Sequence, residues 1–235
     1  MLLPELQKKL REYADNQKAK ILKRFFRTGP GQYAAGDKFL GITVPKIRKL
    51  VREYGKYLTK DEITRLLHSA IHEERLLALL ILSARYKEGA YKEKKSIYQL
   101  YLKNTKYINN WDLVDLSAAH IIGDFLYRKD KNPLYRLARS KNLWERRISI
   151  IATFYFIKKS NFNDTLNIAR ILRLDKEDLI HKATGWMLRE VGKRNQKVEE
   201  AFLKKYYKKM PRTMLRYAIE RFPESRRQAY LQGKI

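Results

Sequence analysis

Apolar residues recur along nearly the whole chain at the three- and four-residue spacing that is typical of amphipathic α-helices. No convincing segment shows the strict alternation of apolar and polar residues that predicts a β-strand. The chain also has only 10 Gly and 6 Pro to interrupt helices. The pattern predicts helices over 4–14, 16–27, 44–57, 60–69, 72–87, 90–104, 110–128, 133–140, 142–159, 164–173, 177–193, 196–208 and 211–222.

A longer period overlies this pattern, because equivalent apolar runs begin at a charged residue every 32 to 40 residues. The residues that open these runs are Arg75, Asp115, Arg147, Lys182 and Arg216. Such a period is typical of stacked helix pairs of the HEAT, armadillo or TPR kind. We therefore expect one all-α domain over residues 1–235, built as a curved solenoid of HEAT-like helix pairs, an α-α superhelix.

Asp115 is the exception in this series, because the other four positions are Arg or Lys. Trp111 lies four residues before it and shares its helix face. Taken alone, the pair favours a core tryptophan and an acid that pairs with a basic neighbour. Trp144 and Trp186 lie near the start of later repeats, however, and equivalent positions of a solenoid line one concave face. A carboxylate among indoles and cations indicates a groove that stabilises a positive charge.

The net charge changes the choice of partner. The chain has 52 Lys and Arg against 25 Asp and Glu, a formal charge of +27, and basic residues recur from Lys8 to Lys234. A body with this charge favours a polyanionic partner, and nucleic acid is the leading candidate. A ribosome-associated protein and a basic surface without a specific ligand are the alternatives. Hydrophobic residues make up 44% of the chain, which is enough for a folded core.

Several other classes of protein are disfavoured. The absence of Cys excludes disulfides, cysteine nucleophiles, zinc fingers and iron–sulfur clusters. The opening sequence MLLPELQKKL is too short and too quickly charged for a signal peptide. The longest apolar stretch, 148–157, is about half of a membrane-spanning helix. We expect a soluble, cytoplasmic protein with no membrane partner.

Metal and cofactor chemistry has little support in the pattern. His68 and His72 are four residues apart, as are His120 and Asp124, and either pair could form one edge of a metal site. A third ligand is not apparent, so helix-end or core histidines are the favoured interpretation. No cofactor motif and no Ser/His/Asp grouping are found, and we expect neither a metal nor a cofactor. The Gly-rich segment 28–38 favours an ordinary loop, with a backbone contact to phosphate as the alternative.

Four blocks of sequence resemble the AlkD family of DNA alkylation repair proteins. They are Phe39–Pro45 (FLGITVP), Asn110–Asp115 (NWDLVD), Leu143–Arg147 (LWERR) and Gly185–Glu190 (GWMLRE). The resemblance runs from about residue 20 to 222 in the same order and spacing. It implies a HEAT-like solenoid that acts as a hydrolase. The expected activity is that of a monofunctional DNA glycosylase that excises cationic N3- and N7-alkylated purines from double-stranded DNA.

The resemblance also implies roles for individual residues. Asp115 matches the catalytic aspartate, and Trp111 and Trp186 match the tryptophans that contact the sugar of the lesion nucleotide. Arg147 matches an arginine beside the DNA backbone. Asn110 departs from the family pattern, because a second tryptophan stands there in the best-known member.

The expected DNA contacts extend this set. Phe25 stands about where the best-known member has a tyrosine, and the Gly-rich loop after it is longer here. The residues that we expect to bind DNA are Arg147, Arg75, Lys182, Arg216, Arg146 and Phe25. The expected partner is double-stranded DNA, bound by a monomer that is associated with a bacterial-type nucleoid.

The chemistry of the lesion agrees with this interpretation. Alkylation at N3 or N7 makes the purine cationic, so it leaves as a neutral base without a general acid. A fixed carboxylate such as Asp115 can stabilise the oxocarbenium-like sugar that remains. One rival is the same solenoid binding branched or damaged DNA without cleaving it, which Asp115 argues against. The other is a protein- or RNA-binding helical repeat, and the charge of +27 argues against a protein partner but not against RNA.

Overall fold

The computed structural model describes residues 2–235, which form an all-α fold and confirm that prediction. Among these residues, β-type pairing is limited to an isolated bridge between Lys38 and Ile71. None of the described helices is both long and apolar enough to cross a membrane. In chain order the helices are α1 (Leu2–Glu12), α2 (Asn16–Phe25), α3 (Val44–Tyr54), α4 (Lys60–Leu67), α5 (His72–Glu88), α6 (Tyr91–Lys103), α7 (Trp111–Asp115), α8 (Asp124–Leu126), α9 (Asn132–Ala138), α10 (Leu143–Ala152), α11 (Phe154–Lys158), α12 (Asn163–Leu172), α13 (Asp178–Gly192), α14 (Gln196–Tyr206), α15 (Arg212–Ala218) and α16 (Glu224–Leu231).

Two of the predicted helices are interrupted. The predicted helix 110–128 consists of α7, a turn, a π-helical segment at Ala119–Gly123, and α8. The predicted helix 142–159 is divided into α10 and α11 at Thr153, whose hydroxyl donates to the carbonyl oxygen of Ile150 at 2.7 Å. A hydroxyl that bonds to the preceding turn competes with the backbone hydrogen bonds of a helix, which accounts for the second break.

The last helix, α16, was not predicted. The predicted helix 211–222 ends early, because α15 stops at Ala218 and a 3₁₀ turn follows. In α16 only Tyr230 is buried, and its ring packs against Tyr207 at 5.2 Å and Phe222 at 5.8 Å. A helix that docks through one aromatic side chain has no apolar periodicity for a sequence pattern to detect.

The chain divides into two compact units, and the boundary falls between Ser117 and Ala118. In the first unit α5 is the central helix, with α3, α4, α6 and α7 packed against it. The first half of α5 is buried almost completely, including its charged residues Glu73, Glu74 and Arg75. Buried charged groups are stable only when they are paired or hydrogen-bonded. The partners of these three residues therefore identify the neighbouring segments that α5 holds in place.

Glu73 holds the loop that carries the FLGIT sequence. Its carboxylate accepts the backbone N–H groups of Leu40 at 3.0 Å, Gly41 at 2.8 Å and Ile42 at 3.2 Å. Gly41 has a φ of +81°, and a Cβ at this position would lie 2.1 Å from the carbonyl oxygen of Asp15. The loop therefore passes so close to the start of α2 that only glycine fits without displacing the backbone.

In the second unit α13 is the central helix, with α10, α12, α14 and α15 packed against it. Glycines allow two close backbone approaches there. A Cβ on Gly185 would lie 2.4 Å from the carbonyl oxygen of Met214, and a Cβ on Gly123 would lie 2.2 Å from that of Ala152. Successive helices of this unit are therefore in direct backbone contact, which fixes the positions of the side chains beside each glycine.

Replacing Gly41 by Ala should destabilise the fold more than replacing Gly36. Both glycines have positive φ angles, +81° and +88°, but a Cβ on Gly36 would meet no atom within 4 Å. Gly36→Ala should cost about 1–2 kcal/mol of strain. Gly41→Ala should cost at least about 3 kcal/mol, because the methyl group must also displace backbone. Urea denaturation of both variants measures the difference, and equal losses would contradict the close approach.

Candidate functional site

Helix α7 carries Trp111 and Asp115 on one face. It begins after Asn110, whose backbone is extended and whose side-chain oxygen accepts the N–H of Trp111 at 2.8 Å. Leu113 and Val114 are buried on the other side of this five-residue helix, whereas Trp111 and Asp115 are half-buried. The carboxylate and the indole therefore lie one turn apart, and each keeps part of its surface exposed.

A stack of aromatic rings supports Trp111 from inside the first unit. The indole lies parallel to Phe26 with ring centroids 5.1 Å apart, and Phe26 lies parallel to Phe39 at 5.0 Å. Phe39 in turn stacks on the imidazole of His72 at 4.5 Å. Phe25 meets the indole edge-on at 5.8 Å and is 61% exposed. Parallel contacts of this kind fix the plane of the indole.

A buried cluster of charged groups anchors the first turn of α7. His72 Nε2 lies 2.8 Å from Asp112 Oδ2, and His72 Nδ1 lies 3.4 Å from Asp37 Oδ2. The other oxygen of Asp37 pairs with Arg75 Nη2 at 2.8 Å. Asn110 Nδ2, immediately before α7, donates to Asp37 Oδ2 at 3.4 Å. The cluster therefore joins the start of α5, the end of the Gly-rich loop and the start of α7.

The members of this cluster favour one another's charged forms. Burial disfavours the charged imidazole, but the hydrogen bonds to Asp112 and Asp37 outweigh it and raise the pKa of His72 above its ordinary value. Burial opposes ionisation of Asp37 as well, yet His72 and Arg75 lower the pKa of Asp37 below its ordinary value. Both shifts therefore favour the charged, paired forms of His72 and Asp37.

The far end of α7 is held by a second polar contact. The hydroxyls of Tyr101 and Ser117 lie 2.9 Å apart in a buried position, and Ser117 Oγ also donates to the carbonyl oxygen of Leu113 at 2.5 Å. Burial raises the pKa of Tyr101, and the negative charge of Asp115 adds to this rise. The field of Asp115 therefore reaches the buried support of its own helix, which is fixed at both ends.

Arg75 lies inside the first unit. It is 3% exposed, its guanidinium pairs with Asp37, and Nη1 donates to the carbonyl oxygen of Ser69 at 2.9 Å. The structure therefore brings Phe25 against Trp111, one helical turn from Asp115, whereas Arg75 is buried within the first unit. Arg75 presents little surface to a ligand, and a direct DNA contact by this residue stays a prediction.

Two arginines of α10 in the second unit are also engaged locally. Arg146 makes a bidentate ion pair with Asp175, with Nε–Oδ2 at 2.6 Å and Nη2–Oδ1 at 3.2 Å. Arg147 is 5% exposed, and its Nη1 donates to the carbonyl oxygen of Leu179 at 2.6 Å. Both side chains therefore tie α10 to the start of α13.

The other predicted residues of the second unit reach its surface. Lys182 pairs with Asp178 at 2.8 Å and keeps 40% of its side chain exposed, and Arg216 is exposed on α15. Trp186 is half-buried on α13, with its ring 6.0 Å from Phe154. Lys182, Arg216 and Trp186 are thus available to a ligand.

The cluster beneath Trp111 is not predicted by the sequence pattern, in which His72 stands out only by its spacing from His68. His68 and His72 make separate polar contacts, since His68 Nε2 bonds to Asn104 Oδ1 at 2.6 Å and His72 bonds to two carboxylates. Within residues 2–235, no group of three or more His, Asp or Glu side chains could hold a metal ion. The Gly-rich segment 28–38 is a loop between helices, and its end delivers Asp37 to the cluster.

Comparison with known proteins points to one family. A family model described as "DNA alkylation repair enzyme" matches residues 6–222. The solved structure of a "predicted DNA alkylation repair enzyme from Enterococcus faecalis" is similar over 90% of this chain and 97% of its own, with a TM-score of 0.69. At 17% sequence identity, this likeness shows a shared fold. A search among curated proteins finds no significant match.

Proposed function

Since the chain belongs to the family of DNA alkylation repair enzymes, we propose that it is a monofunctional DNA glycosylase acting in base excision repair. Its substrates are purines in duplex DNA that carry a positive charge from alkylation at N3 or N7. The observation that carries this proposal is Asp115, a half-buried carboxylate one helical turn from Trp111 in a chain with a net charge of +27. A protein that only binds DNA gains nothing from such an anion on its binding surface.

The proposed reaction breaks the bond between C1′ and the purine nitrogen. Both electrons of this bond pass to the cationic base, which leaves neutral, and the deoxyribose becomes an oxocarbenium ion. Asp115 stabilises this ion and orients a water molecule, whose oxygen adds to C1′ and whose proton passes to solvent. The product is an intact abasic site, because no lysine Schiff base takes part.

Aromatic side chains supplement the carboxylate. Trp111 is held by the ring of Phe26 at 5.1 Å, so its indole face is presented in a fixed orientation. Indole faces attract cations, and this favours a positively charged sugar beside Trp111. We assign the same role to Trp186, which is half-buried on α13. Because the charge on the base already activates it for departure, the mechanism requires no pocket for an extruded base.

Binding to the duplex rests mainly on neutralisation of phosphates. We assign direct contacts to Lys182, Arg216 and Phe25, whose side chains reach the surface. Arg146 and Arg147 support the start of α13 and add positive potential near it. The proposed protein is a monomer that acts on nucleoid DNA in the cytoplasm.

Replacing Asp115 by Asn should abolish most of the excision of 7-methylguanine. The amide keeps the shape of the side chain but removes the charge that opposes the sugar cation, and such losses are on the order of 10²-fold or more. The affinity for DNA should stay the same or rise, because the substitution removes a negative charge from a surface that is proposed to face DNA phosphates. Single-turnover release of 7-methylguanine from duplex DNA measures the rate. Asp61→Asn, at an exposed position of α4, is the matched control.

A duplex that contains uracil tests the charge of the leaving group in the same assay. Uracil is a neutral base, so it should not be released. Where 7-methylguanine is released, the strand should break only after treatment with alkali, because the product is an intact abasic site. Full excision by Asp115→Asn would contradict the role of the carboxylate. Rapid release of uracil would contradict the requirement for a cationic leaving base. Tight DNA binding without any excision by the wild type would favour the rival, a non-catalytic protein that binds damaged or branched DNA.

Replacing Arg216 by Ala should weaken the salt dependence of DNA binding. The logarithm of the affinity should fall linearly with the logarithm of the salt concentration, and loss of one phosphate contact should reduce the slope by about 0.9. Lys204→Ala, on the intervening helix α14, removes an exposed cation from a helix to which no DNA contact is assigned. Fluorescence anisotropy at several salt concentrations measures both slopes. An equal change in the two variants, or a flat wild-type slope, would contradict the assignment.

A further inference from the structure

His72 occupies a position that the reaction described above does not use. It lies at the first residue of α5, is 2% exposed and connects Asp37 to Asp112. We propose that protonated His72 is a positioning residue, which holds the first turn of α7 and thereby sets the orientation of Trp111 and Asp115. Its effect on excision rests on the proposed glycosylase function, whereas its effect on the orientation of Trp111 does not.

The hydrogen-bond geometry favours the charged form of the imidazole. Nε2 faces Asp112 Oδ2 at 2.8 Å and Nδ1 faces Asp37 Oδ2 at 3.4 Å. An ionised carboxylate only accepts hydrogen bonds, and a neutral imidazole carries a single N–H. Both contacts are therefore satisfied only when both ring nitrogens are protonated.

The charge balance around the ring leads to the same conclusion. The charged groups that face His72 are Asp37 from the Gly-rich loop, Asp112 from α7 and Arg75 from its own helix. With His72 protonated, two anions meet two cations and the buried cluster is neutral. Without that proton the cluster carries one uncompensated negative charge, which is costly in a buried position.

The cluster can respond to solvent pH. An apolar cleft of about 240 Å³, with Phe25, Phe26 and Phe39 in its walls, reaches both His72 and Asp112. This cleft gives protons a path to an otherwise buried ring. The same aromatic side chains support Trp111, so a change at the imidazole is transmitted through contacts that already define the plane of the indole.

The direction of the pH effect follows from the raised pKa of His72. The stabilisation from the imidazolium is fully present below the ordinary pKa of histidine, about 6.5, and is lost as pH rises through the higher pKa of the folded state. A decline in excision at alkaline pH that depends on His72 therefore reports on the orientation of α7.

The first test follows two NMR signals through one pH titration. Imidazole resonances are assigned with His→Gln variants of the four histidines, and the indole N–H of Trp111 is assigned with Trp111→Phe. We expect the midpoint of His72 to lie above the ordinary value of histidine, about 6.5, and the Trp111 signal to shift with the His72 midpoint. In His72→Gln the Trp111 transition should disappear, whereas His68→Gln should retain it. If the chemical shift of the Trp111 indole N–H does not change as His72 titrates, the proposal is overturned.

The second test compares excision rates across pH. The ratio of the single-turnover rate of the wild type to that of His72→Gln should fall about tenfold or more from neutral to alkaline pH, with DNA affinity unchanged, because a misplaced catalytic group slows the chemical step. His68→Gln should match the wild type. A ratio that is constant with pH would overturn the effect on the reaction. If the wild type excises nothing, the proposed function fails, and the Trp111 titration still decides the positioning.

A second variant covers the case in which His72→Gln does not fold. Asp37→Asn keeps the imidazole and its bond to Asp112 but removes one of its two anionic partners. The midpoint of His72 should then fall, and the Trp111 transition and the alkaline decline in excision should move with it to lower pH. An unchanged Trp111 midpoint in Asp37→Asn would contradict the proposal.

Discussion

The structure of the candidate site depends on how a helix of five residues is held in place. A helix as short as α7 is not stable by itself, so its orientation must come from tertiary contacts. The ion cluster of His72 with Asp112 and Asp37 holds its start, and the hydroxyl pair of Tyr101 and Ser117 lies at its end. These two supports set the position of Asp115, and the proposed chemistry requires that this position is fixed before the substrate arrives.

A fixed carboxylate has particular value in a chain with a net charge of +27. In the proposed function, the cations of the chain attract the phosphates of DNA, whereas the cationic sugar needs one localised anion. The structure separates these tasks. Three guanidinium groups make contacts within their own units, namely those of Arg75, Arg146 and Arg147. The side chains of Lys182 and Arg216 remain accessible. A count of basic residues therefore overstates the number of cations that can meet DNA directly.

Much of this could be predicted from the sequence, because it depends on local spacing. The all-α fold, the family resemblance and the shared face of Trp111 and Asp115 follow from periodicity and short motifs, and the first two are confirmed. The ion cluster could not be predicted, since His72 lies 35 residues from Asp37 and 40 from Asp112, and tertiary packing alone brings them together. Helix α16 was missed for a related reason, because it is held by one aromatic side chain rather than an apolar face.

The most direct test of the role of Asp115 measures binding to a cationic sugar. The probe is a duplex in which a pyrrolidine ring, positively charged at the position of C1′, replaces the lesion nucleotide. This ring mimics the oxocarbenium ion, so the duplex should bind more tightly than one that carries the intact lesion nucleotide. We expect the wild type to prefer this duplex over one with a neutral tetrahydrofuran ring by about tenfold or more, and Asp115→Asn to lose the preference. Equal affinities for the two duplexes, or a preference that survives in Asp115→Asn, would contradict the assignment of Asp115 as the group that stabilises the cation.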